Sequence, residues 1–116
     1  VLNWKELDTL EMVHQIKHAS EDTDILIFKH STTCSISQMA KLRLESQWDD
    51  QLDLVPYYLD LKKYREISNE VADVFSVHHE SPQVLLVRNG ECLYDASHFD
   101  ISVKELKETL QWHAGS

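Results

Sequence analysis

Cys34 is where this chain concentrates its reactive chemistry. Ser31-Thr32-Thr33 precede it, Ser35-Ile36-Ser37 follow it, and the apolar stretch Ile25-Leu26-Ile27-Phe28 lies just upstream. An apolar run too short for a helix, halted by polar residues and succeeded by helical spacing, predicts a buried strand that hands a thiol to the first turn of a helix. There the backbone N–H groups lack intrahelical partners and the helix dipole favours an anion. A thiol so placed loses its proton more easily, and the thiolate is the reactive species. The plainer alternative is a cysteine serving as a small apolar side chain. Polar flanks on both sides and the loop-to-helix position argue against it.

Other polar residues near this run carry two readings each. Lys29 and His30 add positive charge if they face the sulfur, but side chains alternate along a strand. Lys29 is equally readable as an exposed strand-end lysine, and His30 as a hydrogen-bonded loop histidine. Ser37 is placed either to donate to a Cys34 thiolate, a bond of about 1.5–3 kcal/mol gross, or to bond local backbone as serines in a first helical turn do. His78-His79 suggests a metal pair. Adjacent residues seldom face one ion, however, and no further ligands follow at zinc-like spacing, so no metal is expected. The acidic run Asp49-Asp50-Gln51-Leu52-Asp53 reads as a solvated loop.

The elements that must hold the thiol follow from periodicity. Asn3 and Glu6 have capping-box spacing with Leu2 and Leu7 as a staple. A first helix is therefore expected to carry Leu7, Leu10, Val13 and Ile16 inward and to end near residues 20–22. Residues 25–29 read as a central strand, and Ile36, Met39, Ala40 and Leu44 as the buried face of the helix behind Cys34. Residues 54–61 read as a second strand, near an edge because Pro56 cannot donate to a ladder. Tyr64, Ile67, Val71, Val74 and Phe75 form a clear helical stripe. Residues 84–87 form another strand, turned back at Asn89-Gly90 through Cys92-Leu93-Tyr94. Ser102 with Glu105, stapled by Ile101 and Leu106, opens a last helix with Val103, Leu106 and Leu110 inside.

The order helix, strand, helix, strand, helix, hairpin, helix implies an α/β fold. A right-handed parallel crossover and an antiparallel hairpin share one mixed sheet with helices on both faces. The thiol then lies at the carboxyl end of a strand, where open α/β sheets bind ligands.

The 116 residues fit one domain, 1–116, whose core needs no disulfide or metal staple. A formal net charge of -9 argues against nucleic acid or an anionic membrane surface as partner, since both require basic patches. No apolar run approaches the roughly 20 residues of a membrane span. Two cysteines make no disulfide framework, and no basic-then-apolar leader precedes the first expected helix. The expected compartment is a reducing cytoplasm.

Three segments resemble one family: Phe28-Lys29-His30-Ser31-Thr32-Thr33-Cys34-Ser35-Ile36-Ser37, His79-Glu80-Ser81-Pro82-Gln83 and Ala96-Ser97-His98-Phe99-Asp100-Ile101. Across nearly the whole chain they resemble the monothiol bacilliredoxins of the bacillithiol system, also called the YtxJ family, in the thioredoxin-like superfamily. The resemblance implies a thioredoxin-like fold with Cys34 as nucleophile. It places Ser37 where a dithiol thioredoxin keeps its second cysteine. Thr33, Ser35, Ser81 and Pro82 become the substrate-binding residues, with a cis bond before Pro82 that lets the Ser81 backbone pair with substrate. In such a fold Cys92 lies on a strand beyond the proline strand, which favours packing over resolving chemistry.

The implied reaction is monothiol exchange that removes bacillithiol, a cysteinyl glucosamine malate, from mixed disulfides on proteins. Bacillithiol is then the co-substrate, capped proteins are the partners, and no bound cofactor is expected. One position departs from the family. Proline commonly follows its reactive cysteine, whereas Ser35 here retains a backbone N–H that proline lacks. Ser35-Ile36 also differs from the glycine-phenylalanine of cluster-carrying monothiol glutaredoxins. A thioredoxin-like redox sensor or binding module, modified without turnover, needs the same nucleophile and stays open beside the enzyme.

Overall fold

In the computed structural model, which describes residues 2–114, the chain runs β1 (Lys5–Glu6), α1 (Leu10–Ala19), β2 (Ile25–His30), α2 (Ser35–Gln47) and β3 (Val55–Asp60). It continues through α3 (Arg65–Phe75), β4 (Gln83–Arg88), β5 (Glu91–Ser97), a 3-10 turn (His98–Asp100) and α4 (Val103–Trp112). The sheet order is β1-β3-β2-β4-β5. β3 pairs parallel with β2 and β1, while β4 pairs antiparallel with β2 and β5. β2 is central, and every one of its residues is buried.

Alternation along β2 divides the core in two. Ile25 and Ile27 meet Val13 and Ile16 of α1 and Ile67, Val71 and Phe75 of α3. Leu26 and Phe28 meet Ala40 and Leu44 of α2 and Val103 and Leu106 of α4. The mixed sheet with helices on both faces is the expected architecture, and the same alternation sends Lys29 and His30 to opposite faces.

Expectations for the first helix and for α2 require correction. No helix starts at Asn3: residues 5 and 6 pair with Tyr57 and Tyr58, and Leu7 donates its N–H to the Tyr58 carbonyl at 2.8 Å. Helix α1 is capped instead by Thr9, whose hydroxyl accepts from the Met12 N–H, and Leu10 is exposed. Tertiary contacts override the local capping pattern here. Trp4 stacks on Phe28 and donates Nε1–H to Glu45 at 2.8 Å, which holds the segment extended along the sheet.

The inward face of α2 also differs. Ser37, Ala40 and Leu44 are buried, whereas Ile36 and Met39 are 37% and 54% exposed. The serine fits inside because its hydroxyl is fully occupied there, as described below.

The remaining elements fall where the pattern predicts. Asn89 and Gly90 both have positive φ, 53° and 76°, the geometry that a two-residue hairpin requires. Ser102 accepts from the Glu105 N–H, and Ile101 and Leu106 are buried in one cluster. Pro56 sits one strand in from the edge. Val55 donates to Asp24 on the β2 side, so by alternation Pro56 faces β1, which pairs only residues 57 and 58. Its missing N–H therefore costs the sheet no bond.

Candidate active site

β2 ends at His30, and four residues later Cys34 is the N-cap of α2, in extended conformation with φ -99° and ψ 121°. The Gln38 N–H closes the first helical bond onto the Cys34 carbonyl at 3.0 Å, and the sulfur caps no helical N–H. No acidic side chain occupies the first turn of α2. The half-buried thiol is thus delivered at the electropositive end of a helix, with Thr33 and Ser35 exposed on either side. Lys62 donates to the Thr33 hydroxyl at 3.0 Å, which brings a cation to this edge of an otherwise acidic protein.

Ser37 organises the loop below the thiol. Its Oγ accepts from the Ser31 N–H at 2.9 Å and lies 2.6 Å from His30 Nδ1. His30 is buried against the rings of Phe28 and Tyr58. Burial, reinforced by the Lys41 charge and opposed by Asp60, pushes its imidazole pKa below the ordinary value. His30 is hydrogen-bonded, as one of its two sequence readings has it, but it is the buried last residue of β2 rather than a loop residue. For Ser37 the bonds formed are to the Ser31 backbone and to the His30 ring.

The second half of the site comes from the adjacent strand. Lys29 on β2 is in register with Gln83, the first residue of β4, so Pro82 arrives at the same end of the sheet as the Cys34 loop. The Ser81–Pro82 bond is cis, as the resemblance implies. Pro82 is buried, its carbonyl accepts from the His98 N–H at 3.0 Å, and the Ser81 Oγ is buried without a partner among the described residues. Glu80 faces His98 at 3.7 Å.

Lys29 overturns its reading as an exposed strand-end residue, because it is 0% exposed. Its Nζ donates to the Ser68 carbonyl of α3 at 3.1 Å and to His79 Nδ1 at 3.2 Å. Burial lowers its pKa to about 8. Burial, together with the Lys29 charge, also lowers that of His79. The His78-His79 pair is therefore divided: His79 binds a lysine, while the His78 carbonyl accepts from the Gln83 side-chain amide at 2.9 Å. Sequence reasoning missed Ser68, Gln83 and Lys62 as neighbours of the site, and it weighed Lys29 only as a charge facing the sulfur or an exposed strand end, not as a buried one. The available signal was a lysine inside an otherwise apolar strand.

Cys92 lies elsewhere. It pairs with Val87, and Val87 pairs with Ile25 at the start of β2. Five strand rises separate that level from His30, about 16 Å. Burial, with Asp95 adding to it, pushes the Cys92 thiol up to about 11, and its Sγ donates to the Tyr94 carbonyl. The acidic stretch 49–53 is largely exposed, with Asp49 held by Lys107 at 2.9 Å.

A cysteine at a helix start after a central strand, with a cis-proline at the same end of the sheet ahead of an antiparallel neighbour, defines a thiol protein of the thioredoxin fold. Solved structures agree. A protein described as having a thioredoxin fold matches at 30% identity, covering 90% of each chain, with a TM-score of 0.74. Thioredoxin from Malassezia sympodialis matches at 17% identity over 97% of this chain and 92% of its own, TM-score 0.73. Thioredoxin from Trypanosoma brucei brucei matches at 15% identity over 94% and 88%, TM-score 0.74. The sequence profile of the monothiol bacilliredoxin BrxC family matches residues 5–106, and the chain belongs to that family. Membership supports a thiol redox function. No helix among the described residues is long and apolar enough to cross a membrane.

Proposed function

We propose that this protein, a bacilliredoxin of the YtxJ kind, removes bacillithiol from mixed disulfides on proteins by a monothiol cycle. The observation that carries this reading is the placement of the cysteines. Cys34 stands at a helix start, a hydroxyl at Ser37 replaces any neighbouring thiol, and Cys92 lies at the far end of the sheet. An intermediate formed on Cys34 has no internal thiol to resolve it.

In the cycle, the Cys34 thiolate attacks the bacillithiol sulfur of the mixed disulfide. The new S–S bond joins Cys34 to bacillithiol, the old one breaks, and the target leaves as a thiolate that takes up a proton. A second bacillithiol thiolate then attacks the cap, which releases bacillithiol disulfide and restores the Cys34 thiolate. No net oxidant is required. Ser81 offers its backbone to the incoming chain, while Thr33 and Ser35 border the sulfur. Ile36 and Met39, exposed in the first two turns of α2, supply apolar surface for a capped protein. Ser37 acts on Cys34 by fixing the loop through Ser31 and His30. A reducing cytoplasm is the compartment in which such a thiol stays poised.

The test incubates the purified protein with a bacillithiol-capped target and free bacillithiol and follows release of the target thiol. Catalytic release that requires Cys34 supports the enzyme. A single stable adduct without turnover, at every bacillithiol concentration, would instead identify a sensor.

A further inference from the structure

Lys29 is the buried ionisable group that the exchange cycle leaves unused. It lies on the α1/α3 face of β2, away from the His30 face. Its amine makes two contacts: the Ser68 carbonyl in the second turn of α3, and His79 Nδ1 in the segment that leads to Ser81-Pro82. An ammonium can only donate, so Nδ1 must accept and the His79 ring proton sits on Nε2. The Ser68 hydroxyl closes the same cluster at 3.3 Å from Nδ1. Gln83, directly across the sheet from Lys29, bonds the His78 carbonyl and leaves its own buried Oε1 without a partner among the described residues.

Both partners of the Lys29 amine are uncharged. A buried cation without a carboxylate in contact destabilises a fold, and a methionine of similar length would fill the same volume without that penalty. Packing therefore does not explain a lysine here. What the amine does provide is a tie between α3, the central strand and the loop that carries the substrate edge.

We propose that Lys29 is a positioning residue for thiol exchange, holding residues 79–82 in register with Cys34 through His79. This inference rests on the exchange reading above and adds a residue to it. Loss of the tie leaves Cys34 on its helix untouched but loosens the edge against which a disulfide must align. A misplacement of about 1 Å is enough to cost up to about a hundredfold in rate.

The experiment compares the full chain with Lys29→Met, His79→Gln and His79→Leu. Exchange with a bacillithiol-capped protein, Cys34 alkylation by iodoacetamide, amide hydrogen exchange at residues 79–81 and thermal midpoint are measured on each. For Lys29→Met, exchange falls by about tenfold or more, chiefly through KM. Its amides at 79–81 exchange faster, its midpoint is unchanged or higher, and iodoacetamide reacts with Cys34 within about twofold of the parent. His79→Gln keeps an acceptor for the amine and retains most of the rate, whereas His79→Leu behaves like Lys29→Met. Exchange within about twofold of the parent in Lys29→Met, or a loss matched by slower alkylation and a lower midpoint, overturns the positioning role. A parent protein that releases no cap overturns the exchange reading itself, and faster amide exchange in Lys29→Met would still report the tie.

Discussion

The two ends of the central sheet hold the two cysteines, and they treat a thiol in opposite ways. At the carboxyl end of β2, Cys34 lies on a helix start with exposed neighbours and a lysine beside Thr33. At the other end, Cys92 is packed against the core, pushed up to about 11 and hydrogen-bonded to a backbone carbonyl. Distance also separates them, by roughly the length of a strand. Position in the sheet, rather than the residue type, decides whether a cysteine stands at a helix start among exposed neighbours or is packed against the core. The Cys34 end also gathers most of the buried polar groups, Lys29, His30, Ser37, Ser68 and Gln83, whereas Ser20 is buried at the hairpin end.

The largest test of this contrast is direct substitution. Cys34→Ser should reduce release of a target thiol to the uncatalysed background, while Cys92→Ser should leave the rate within about twofold, because a near-isosteric change about 16 Å from the site touches none of its groups. Equal losses in the two variants would show that the far thiol resolves the intermediate.

Alkylation sharpens the same point without requiring activity. At pH 8 a thiol with a pKa of about 11 is about one part in a thousand thiolate, so folded Cys92 should label slowly and unfolding should restore its rate. Peptide mapping after limited alkylation should show modification at Cys34 first. Rapid labelling of Cys92 in the folded chain contradicts the burial described here.

Ser37→Cys moves a second thiol to the active end. Intramolecular attack then competes with external bacillithiol at a high effective concentration, and intact mass should show an internal disulfide in place of a capped protein. Ser37→Ala leaves the Ser31 N–H and His30 without their shared partner. A stability loss of about 1–3 kcal/mol in denaturant unfolding is expected from those unmet bonds.

The last effect, spread over several pH units, is a pH slope of stability, and the two ends give it opposite signs. Lys29 titrates near 8 in the folded protein, below its ordinary 10.5, so the unfolded chain holds more protons between those values and stability rises with pH across that window. The cost of burying the charge is fully present below about pH 8. Cys92 is raised from 9.0 to about 11, so the folded chain holds more protons there and its contribution falls as pH rises from 9 to 11. Denaturant unfolding of Lys29→Met should lose the rising component, an integrated change of up to about 3 kcal/mol. Cys92→Ala should lose the falling one. A Lys29→Met curve parallel to the parent's would mean that the amine is hydrated and not buried.

Sequence alone made the strand–thiol–helix unit legible, because a short isoleucine-rich run followed by hydroxyl residues and helical spacing has few other physical solutions. The Asn89-Gly90 hairpin and the Ser102 cap were legible for the same reason: each is specified by neighbouring residues. Tertiary structure decided what depends on distant partners. Asn3 and Glu6 obey a local helix-start rule, yet Tyr57, Tyr58 and Phe28 hold that segment extended. Ser37 turned inward and Ile36 outward because Ser31 and His30 satisfy the hydroxyl, which hydrophobic periodicity cannot register. Lys29 reads as a strand-end charge until α3 and the His79 loop close over it. Local patterns fix most of the elements, though not β1, and where the thiol stands. Only the packed sheet brings the proline loop to the thiol's end and bonds His79 to Lys29, because that contact joins residues 50 positions apart.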